Sequence, residues 1–286
     1  MGRFPTLEIR EKDSAGANFL YRTACGRLLL QVLIRPSVSK AMGAFLDTSL
    51  SRHLVGPFVK ATKLDLTDYP AVSYRSFNDF FTRQVKEGRR NVDMDPDVLV
   101  APCDGKLTAY PITEDAQFDI KHSVYAVKDL LRDEALAKEF EGGTCLIFRL
   151  TPDDFHRYSF MDNGTVLETR TLSGVLHTVR PIAFRRYPVF SENAREFALL
   201  ETANFGKVIQ MEVGALFVGR IVNHPLTAFT RGQEKGKFEF GGSTVILLLQ
   251  KGAAVIDEEI LQNTREGQES IVRLGTPIGR KASYLR

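Results

Sequence analysis

Ser243, in Phe240-Gly241-Gly242-Ser243-Thr244, has the most distinctive chemical setting in this chain. A serine hydroxyl can attack the carbonyl of the residue before it if the backbone bends and a base takes the proton, and Gly242 supplies the bend. The same residues also read as a turn feeding a buried strand, because Val245-Ile246-Leu247-Leu248-Leu249 follows at once. They do not form a hydrolase elbow. Val245 stands where Gly-x-Ser-x-Gly needs its last glycine, and a strand-like run replaces the helix.

A base for Ser243 must come from elsewhere in the sequence. His156 lies in Thr151-Pro152-Asp153-Asp154-Phe155-His156-Arg157-Tyr158-Ser159, just after the strand-like residues 145–150. His177 lies in Ser173-Gly174-Val175-Leu176-His177-Thr178-Val179. Asp104 sits in Pro102-Cys103-Asp104-Gly105-Lys106, an Asp-Gly turn signal between apolar flanks. Taken singly, each has a bland reading: a hydrogen-bonded structural histidine, a core-edge histidine and a hairpin tip. His53, His122 and His224 stand in no comparable motif.

The segment from Arg231 to Thr244 resembles the cleavage segment of the phosphatidylserine decarboxylases, which cut themselves between that Gly and Ser. The resemblance implies that Ser243 becomes a pyruvoyl cofactor at the start of a small chain, residues 243–286, while the large chain ends at Gly242. Pro-Cys-Asp-Gly-Lys resembles the family segment whose aspartate orients the catalytic histidine, which singles out Asp104. The segment around His156 resembles Asp-Tyr-His-x-x-His, with Ser159 in place of the second histidine. The family's division of labour between two histidines therefore cannot be copied: His156 does both steps, or His177 helps. The likeness runs from about residue 19 to Gly279, with the three motifs in the family's order.

By that likeness His156 removes the Ser243 proton while Asp104 holds its tautomer, following Ser-His-Asp logic. The product enzyme would decarboxylate phosphatidylserine to phosphatidylethanolamine. Two other readings stay open: a pyruvoyl decarboxylase of another amino acid or serine lipid, and a non-enzymatic peripheral lipid-binding protein in which Gly242-Ser243 is only a turn.

The elements that must position these residues change character along the chain. Residues 19–35 read as one amphipathic helix stopped by Pro36, and a second helical stretch runs from about Ser39 to Lys60. Their bulky apolar residues and basic flanks suit either a core face or a membrane interface. Ser76 and Asp79 have capping-box spacing ahead of the Phe77, Phe80 and Phe81 stripe. Short strands with turn residues take over near Leu99, and residues 266–279 look like a hairpin of the kind found in biotinyl carrier domains. The expected fold is α+β, with amino-terminal amphipathic helices and a mainly antiparallel β core of barrel-sandwich type. Residues 1–95 form the membrane-associating part and 96–286 the catalytic part.

Composition sets the outer bounds. With 286 residues, 43% of them hydrophobic, the chain can bury a core, and a net charge of +3 permits an anionic partner without requiring one. The three cysteines, Cys25, Cys103 and Cys145, are widely spaced and read as reduced core thiols. No run approaches a membrane span or a secretory signal, and no nucleotide or metal motif is present. The expected partners are phosphatidylserine and an anionic membrane surface, with no nucleic acid and a homodimer left open. The expected location is peripheral, on the cytoplasmic face of the cell membrane.

Overall fold

The structure is a computed structural model and describes residues 2–8, 15–120, 123–184, 186–216, 220–241 and 243–282. The amino-terminal helical region is more finely divided than its sequence suggests. Helices span Ala15–Arg22, Ala24–Leu33 and Pro36–Leu46, followed by a 3-10 turn at Ser49–Leu54 and a helix at Val55–Thr62. The expected single helix over 19–35 breaks at Thr23, whose hydroxyl accepts from Gly26 N and caps the next helix. The chain packs tightly at this corner: a Cβ on Gly26 would stand 1.9 Å from Phe19 O. Pro36 occupies the first turn of the third helix, where its missing N–H costs nothing, so it starts that helix as well as ending the one before.

The β core is mainly antiparallel, as expected for an α+β chain. Nine strands form one sheet in the order Thr6–Glu8, Gln268–Val272, Gly105–Pro111, Thr144–Leu150, Ser243–Leu249, Gly206–Val213, Arg195–Thr202, Gly164–Leu172 and Ala228–Phe229. Among the described residues this sheet stays open and closes no barrel. The expected hairpin over 266–279 is absent. Its two strands, Gln268–Val272 and Pro277–Lys281, pair into different sheets, the first with Gly105–Pro111 and the second with Val98–Val100. The turn residues near Gly275 redirect the chain between layers and do not fold it back on itself.

Ser243–Leu249 lies in the middle of the sheet and is buried along its whole length, which explains its unbroken apolar run. The helices are joined to this core. Tyr21 and Leu30 belong to the main apolar cluster, while Leu46 packs in a second cluster with Phe77, Phe80 and Phe81. Cys103 and Cys145 are buried as expected, but Cys25 is exposed on its helix.

Candidate active site

Strand register brings the three sequence motifs to one end of the sheet. Ser243, the first residue of its strand, faces Leu150, the last residue of Thr144–Leu150. His156 follows six residues beyond Leu150. On the other side of that strand Lys106 faces Arg149, so Asp104 precedes its own strand at the same end. Antiparallel pairing alone therefore converts three segments spread over 140 residues of sequence into one neighbourhood.

His156 is fully buried. Its ring lies 4.1 Å, centroid to centroid, from Phe81, which in turn sits 5.3 Å from Phe240, three residues before Ser243. Its main-chain carbonyl accepts from Phe238 N at 2.9 Å, tying it to the same approach segment. Nδ1 stands 3.0 Å from the Asp154 carbonyl. A carbonyl only accepts, so Nδ1 carries the proton and Nε2 presents its lone pair. Burial pushes the His156 pKa down to about 3, which keeps the ring neutral at working pH. Three polar atoms in this region are buried without a partner among the described residues: His156 Nε2, Ser243 Oγ and Thr244 Oγ1. Buried polar atoms without a partner are few in folded proteins, and each asks for a role or a bound water.

The Asp104 carboxylate does not reach the His156 ring through any hydrogen bond described. It takes a two-point bond from Arg90, at 2.8 Å to Nε and 2.6 Å to Nη2, and accepts from Leu274 N at 2.9 Å. A guanidinium fork matches a carboxylate better than one imidazole N–H does, so Asp104 anchors Arg90, which also reaches Asp68 at 3.0 Å. Tautomer control of His156 passes to the Asp154 main chain. That stretch is held by Lys106, whose Nζ lies 2.6 Å from Asp154 Oδ2. Arg83, itself buried, also points Nη2 at the Asp154 carbonyl, 3.4 Å away.

Lys106, Asp154, Arg83 and Phe81 support His156 without any motif of their own to mark them in the sequence. The first stands two residues after Asp104, inside the segment that singles out that aspartate. Lys106→Met should destabilise the fold by about 3–5 kcal/mol, because it removes the counter-charge of a largely buried carboxylate and leaves only Thr151 N and Oγ1 donating to it. Urea unfolding measures this, and a loss below about 1 kcal/mol would show that Asp154 finds another partner.

His177 occupies a separate environment. Its ring stacks on Tyr187 at 4.0 Å, and Nδ1 lies 3.4 Å from Tyr21 Oη. Tyr21 Oη also accepts from Thr178 N, and His177 Nε2 lies 3.8 Å from Glu192. Burial lowers its pKa to about 4. Its main chain is nearer the sheet: Asn193 bonds both the N–H and the carbonyl of His177 and donates to Gly214 O, one residue past the partner of Thr244.

At the cleavage segment, Gly241 has φ +130, a conformation that only glycine adopts readily. Gly242 lies outside the described residues, as does His122. His224 is exposed and pairs with Glu234 at 3.0 Å, and His53 is exposed as well.

Comparison with known proteins identifies the family. The phosphatidylserine decarboxylase family model matches residues 77–280. The phosphatidylserine decarboxylase proenzyme 2 of Clostridium acetobutylicum is 46% identical over 262 residues, covering 91% of this chain and 90% of its own. The phosphatidylserine decarboxylase proenzyme of Clostridium botulinum strain Langeland is 40% identical over 271 residues, 92% of each chain. That of Ruminiclostridium cellulolyticum is 39% identical over 269 residues, covering 92% of this chain and 90% of its own. Matched by the family model over residues 77–280 and by these proenzymes along most of its length, the chain belongs to the phosphatidylserine decarboxylase family.

Proposed function

We propose that this chain decarboxylates phosphatidylserine to phosphatidylethanolamine, using a pyruvoyl group made from Ser243 by self-cleavage after Gly242. The observation that carries the reading is the set of unpaired buried atoms, Ser243 Oγ, Thr244 Oγ1 and His156 Nε2, at the sheet end where the motifs converge. An uncut precursor needs a hydroxyl free to attack and a ring nitrogen free to accept, and a pyruvoyl carbonyl at residue 243 would need donors nearby that are not already engaged.

The residues divide the work as follows. His156 Nε2 takes the Ser243 proton, and Oγ attacks the Gly242 carbonyl carbon. The Gly242–Ser243 C–N bond then breaks, and the proton goes to the departing Ser243 nitrogen. Loss of the Ser243 α-proton expels the Gly242 carboxylate and leaves a dehydroalanine, which water converts to pyruvoyl with release of ammonia. Burial of Ser243 keeps bulk water from the ester before that elimination. The pyruvoyl group would supply an electrophilic carbonyl that takes up the electron pair released with carbon dioxide. Asp104 and Arg90 brace the sheet end, and His156, once it has taken the Ser243 proton, is the group that returns one. Intact-mass measurement alongside a phosphatidylethanolamine assay on phosphatidylserine vesicles tests the whole reading. Product formed by an uncut chain would refute it.

The same proposal places residues 1–95 at the membrane, on its cytoplasmic face, with 96–286 carrying the chemistry. No helix among the described residues is long and apolar enough to cross a membrane. Half of the fourteen exposed large apolar side chains described fall between Phe19 and Leu54, including Leu28 at 67% and Leu50 at 70% exposure. From Ala15 to Lys60 there are six lysines or arginines and one acidic residue, Asp47. An apolar surface flanked by cations suits an anionic bilayer. Deleting these helices would strip Tyr21, Leu30 and Leu46 from the core, so surface substitution is the cleaner experiment. Changing Leu28, Leu29, Val32 and Leu50 together to Gln should weaken co-sedimentation with phosphatidylserine vesicles at least tenfold and leave self-cleavage intact. Unchanged co-sedimentation would remove this face from the membrane.

A further inference from the structure

Self-cleavage by this route needs two proton acceptors in succession, one for the Ser243 hydroxyl and one for its α-carbon. The first hands its proton on at once, because the departing Ser243 nitrogen takes it, so a weakly basic ring suffices. The second must keep its proton while a double bond forms, and a ring whose pKa burial holds to about 3 is a poor base for that step. Another titratable group shares the Ser243 face of the central sheet. Glu212 pairs with Val245 across the strands Gly206–Val213 and Ser243–Leu249, and residues two apart on a strand point the same way, so Glu212 is the diagonal neighbour of Ser243. Diagonal neighbours stand about 7–8 Å apart, a gap that a long side chain spans.

Glu212 is fully buried, and Lys235, itself buried, sets its Nζ against Glu212 Oε2. Asn223 Nδ2 donates to the same oxygen at 3.1 Å. The Asn223 amide is fixed in that sense because its Oδ1 accepts from Tyr158 Oη at 3.0 Å. A bulge places Lys235. Its strand, Glu234–Glu239, shifts register against Arg157–Ser159 between Glu234 and Gly236, so Lys235 has no residue opposite it and its side chain is turned inward. With Oε2 held, Glu212 Oε1 has no partner among the described residues, the same condition as Ser243 Oγ. Burying an ion pair is costly, and apolar residues would join the two layers as well. We propose that Glu212 is the second base of self-processing, taking the Ser243 α-proton, with Lys235 keeping its carboxylate ionised. The Cα–H electron pair becomes the Cα–Cβ double bond while the Cβ–O bond breaks and Gly242 leaves as a carboxylate. The Glu212 carboxyl then gives its proton to Cβ, which turns the enamine into an iminium. Water adds to the iminium carbon, and ammonium leaves the pyruvoyl carbonyl behind. Burial raises the Glu212 pKa against the pull of Lys235, so this carboxylate is a stronger base than an exposed one. Elimination follows quickly in the wild-type chain, and the acyl shift before it sets the rate of cleavage.

This inference rests on self-cleavage at Ser243, and its test needs no lipid turnover. Full-length chains are made by cell-free synthesis, quenched in acidic urea and treated with mildly acidic hydroxylamine, which opens an ester and spares the amide it came from. Glu212→Gln, alone and together with Lys235→Met to remove the opposing charge, should stop at the ester. Hydroxylamine then releases residues 1–242 as a hydroxamate and a small chain that begins with serine, and pyruvoyl should form about a hundredfold more slowly than in the wild type. Glu212→Asp keeps the ion pair with its carboxylate drawn back by one methylene. It should form pyruvoyl about tenfold faster than Glu212→Gln, with ester still detectable. A merely structural pair would slow the acyl shift instead and leave an amide that hydroxylamine spares. Thermal unfolding is the folding control, and if the Gln variants do not fold, the ester in the Glu212→Asp chain decides. Stalled chains without ester, pyruvoyl formed by Glu212→Gln at the wild-type rate, or an Asp variant no faster than the Gln variant would each overturn Glu212 as the base. A wild-type chain that stays uncut would remove the cleavage reading and this step with it, whereas a wild type and a Glu212→Gln chain cut equally fast would remove this step alone.

Discussion

Ser243→Ala is expected to leave a single full-length chain with no measurable decarboxylation, whereas the wild-type chain is recovered as two pieces parted between Gly242 and Ser243. The effect is total because alanine has no nucleophile and no route to an electron-accepting carbonyl. A loss of fold is not expected to confuse the result. Ser243 Oγ is buried and unpaired, so its removal breaks no hydrogen bond and leaves a nearly isosteric side chain in the middle strand of the sheet. Thermal unfolding of the variant should therefore match or slightly exceed that of the uncut wild-type precursor. Intact-mass spectrometry reads the cut, and release of carbon dioxide from carboxyl-labelled phosphatidylserine reads the activity. A wild-type preparation that turns over substrate as one intact chain would refute the assignment of Ser243.

The legible part of the site was the part carried by short motifs. Gly-Gly-Ser before an apolar run announced both a chemical option and a buried strand, and the structure has Ser243 opening that strand. Asp104 and His156 were found through their segments, but the contact between them was not a property of either segment. Which acceptor His156 Nδ1 faces depends on how residues 151–156 fold after their strand. Lys106 sets that by holding the Asp154 side chain, and Arg83, two residues past the helix Phe77–Phe81, braces the Asp154 carbonyl. Such long-range ion pairs leave no periodic trace in sequence. The helical region failed for a different reason. In residues 19–35 the polar positions Arg27, Gln31 and Arg35 keep a four-residue spacing, so periodicity does not show the break at Thr23, where a single capping hydroxyl and the close approach at Gly26 decide the geometry. At the carboxyl-terminal end the turn residues look the same in sequence whether they reverse the chain or, as here, carry it from one sheet to another.

His156→Ala should slow self-cleavage by about 10²–10⁴-fold, the usual contribution of a positioned base. His156→Gln serves beside it, since it better fills the space against Phe81 and shows whether lost packing is responsible. The pH profile carries independent information. A base must be unprotonated, and an ordinary histidine near 6.5 would lose about thirtyfold of its basic form between pH 8 and pH 5. Burial pushes His156 down to about 3, so its basic form persists through that range and the wild-type self-cleavage rate should stay flat from pH 8 to pH 5. A steep fall centred near pH 6.5 would mean that the base is a solvent-exposed histidine and not this one.

His177 gives the contrasting result. Its ring is enclosed by Tyr21, Tyr187 and Glu192, none of which touches His156 in any contact described, and its pKa near 4 leaves it uncharged at neutral pH. His177→Ala should therefore cleave into two chains at close to the wild-type rate and decarboxylate within about tenfold of it, with His156 serving both steps in place of the histidine that Ser159 replaces. Normal cleavage combined with a turnover more than a hundredfold reduced would reverse this. It would make His177 the proton donor, reached through Asn193 and Gly214 beside the Ser243 strand.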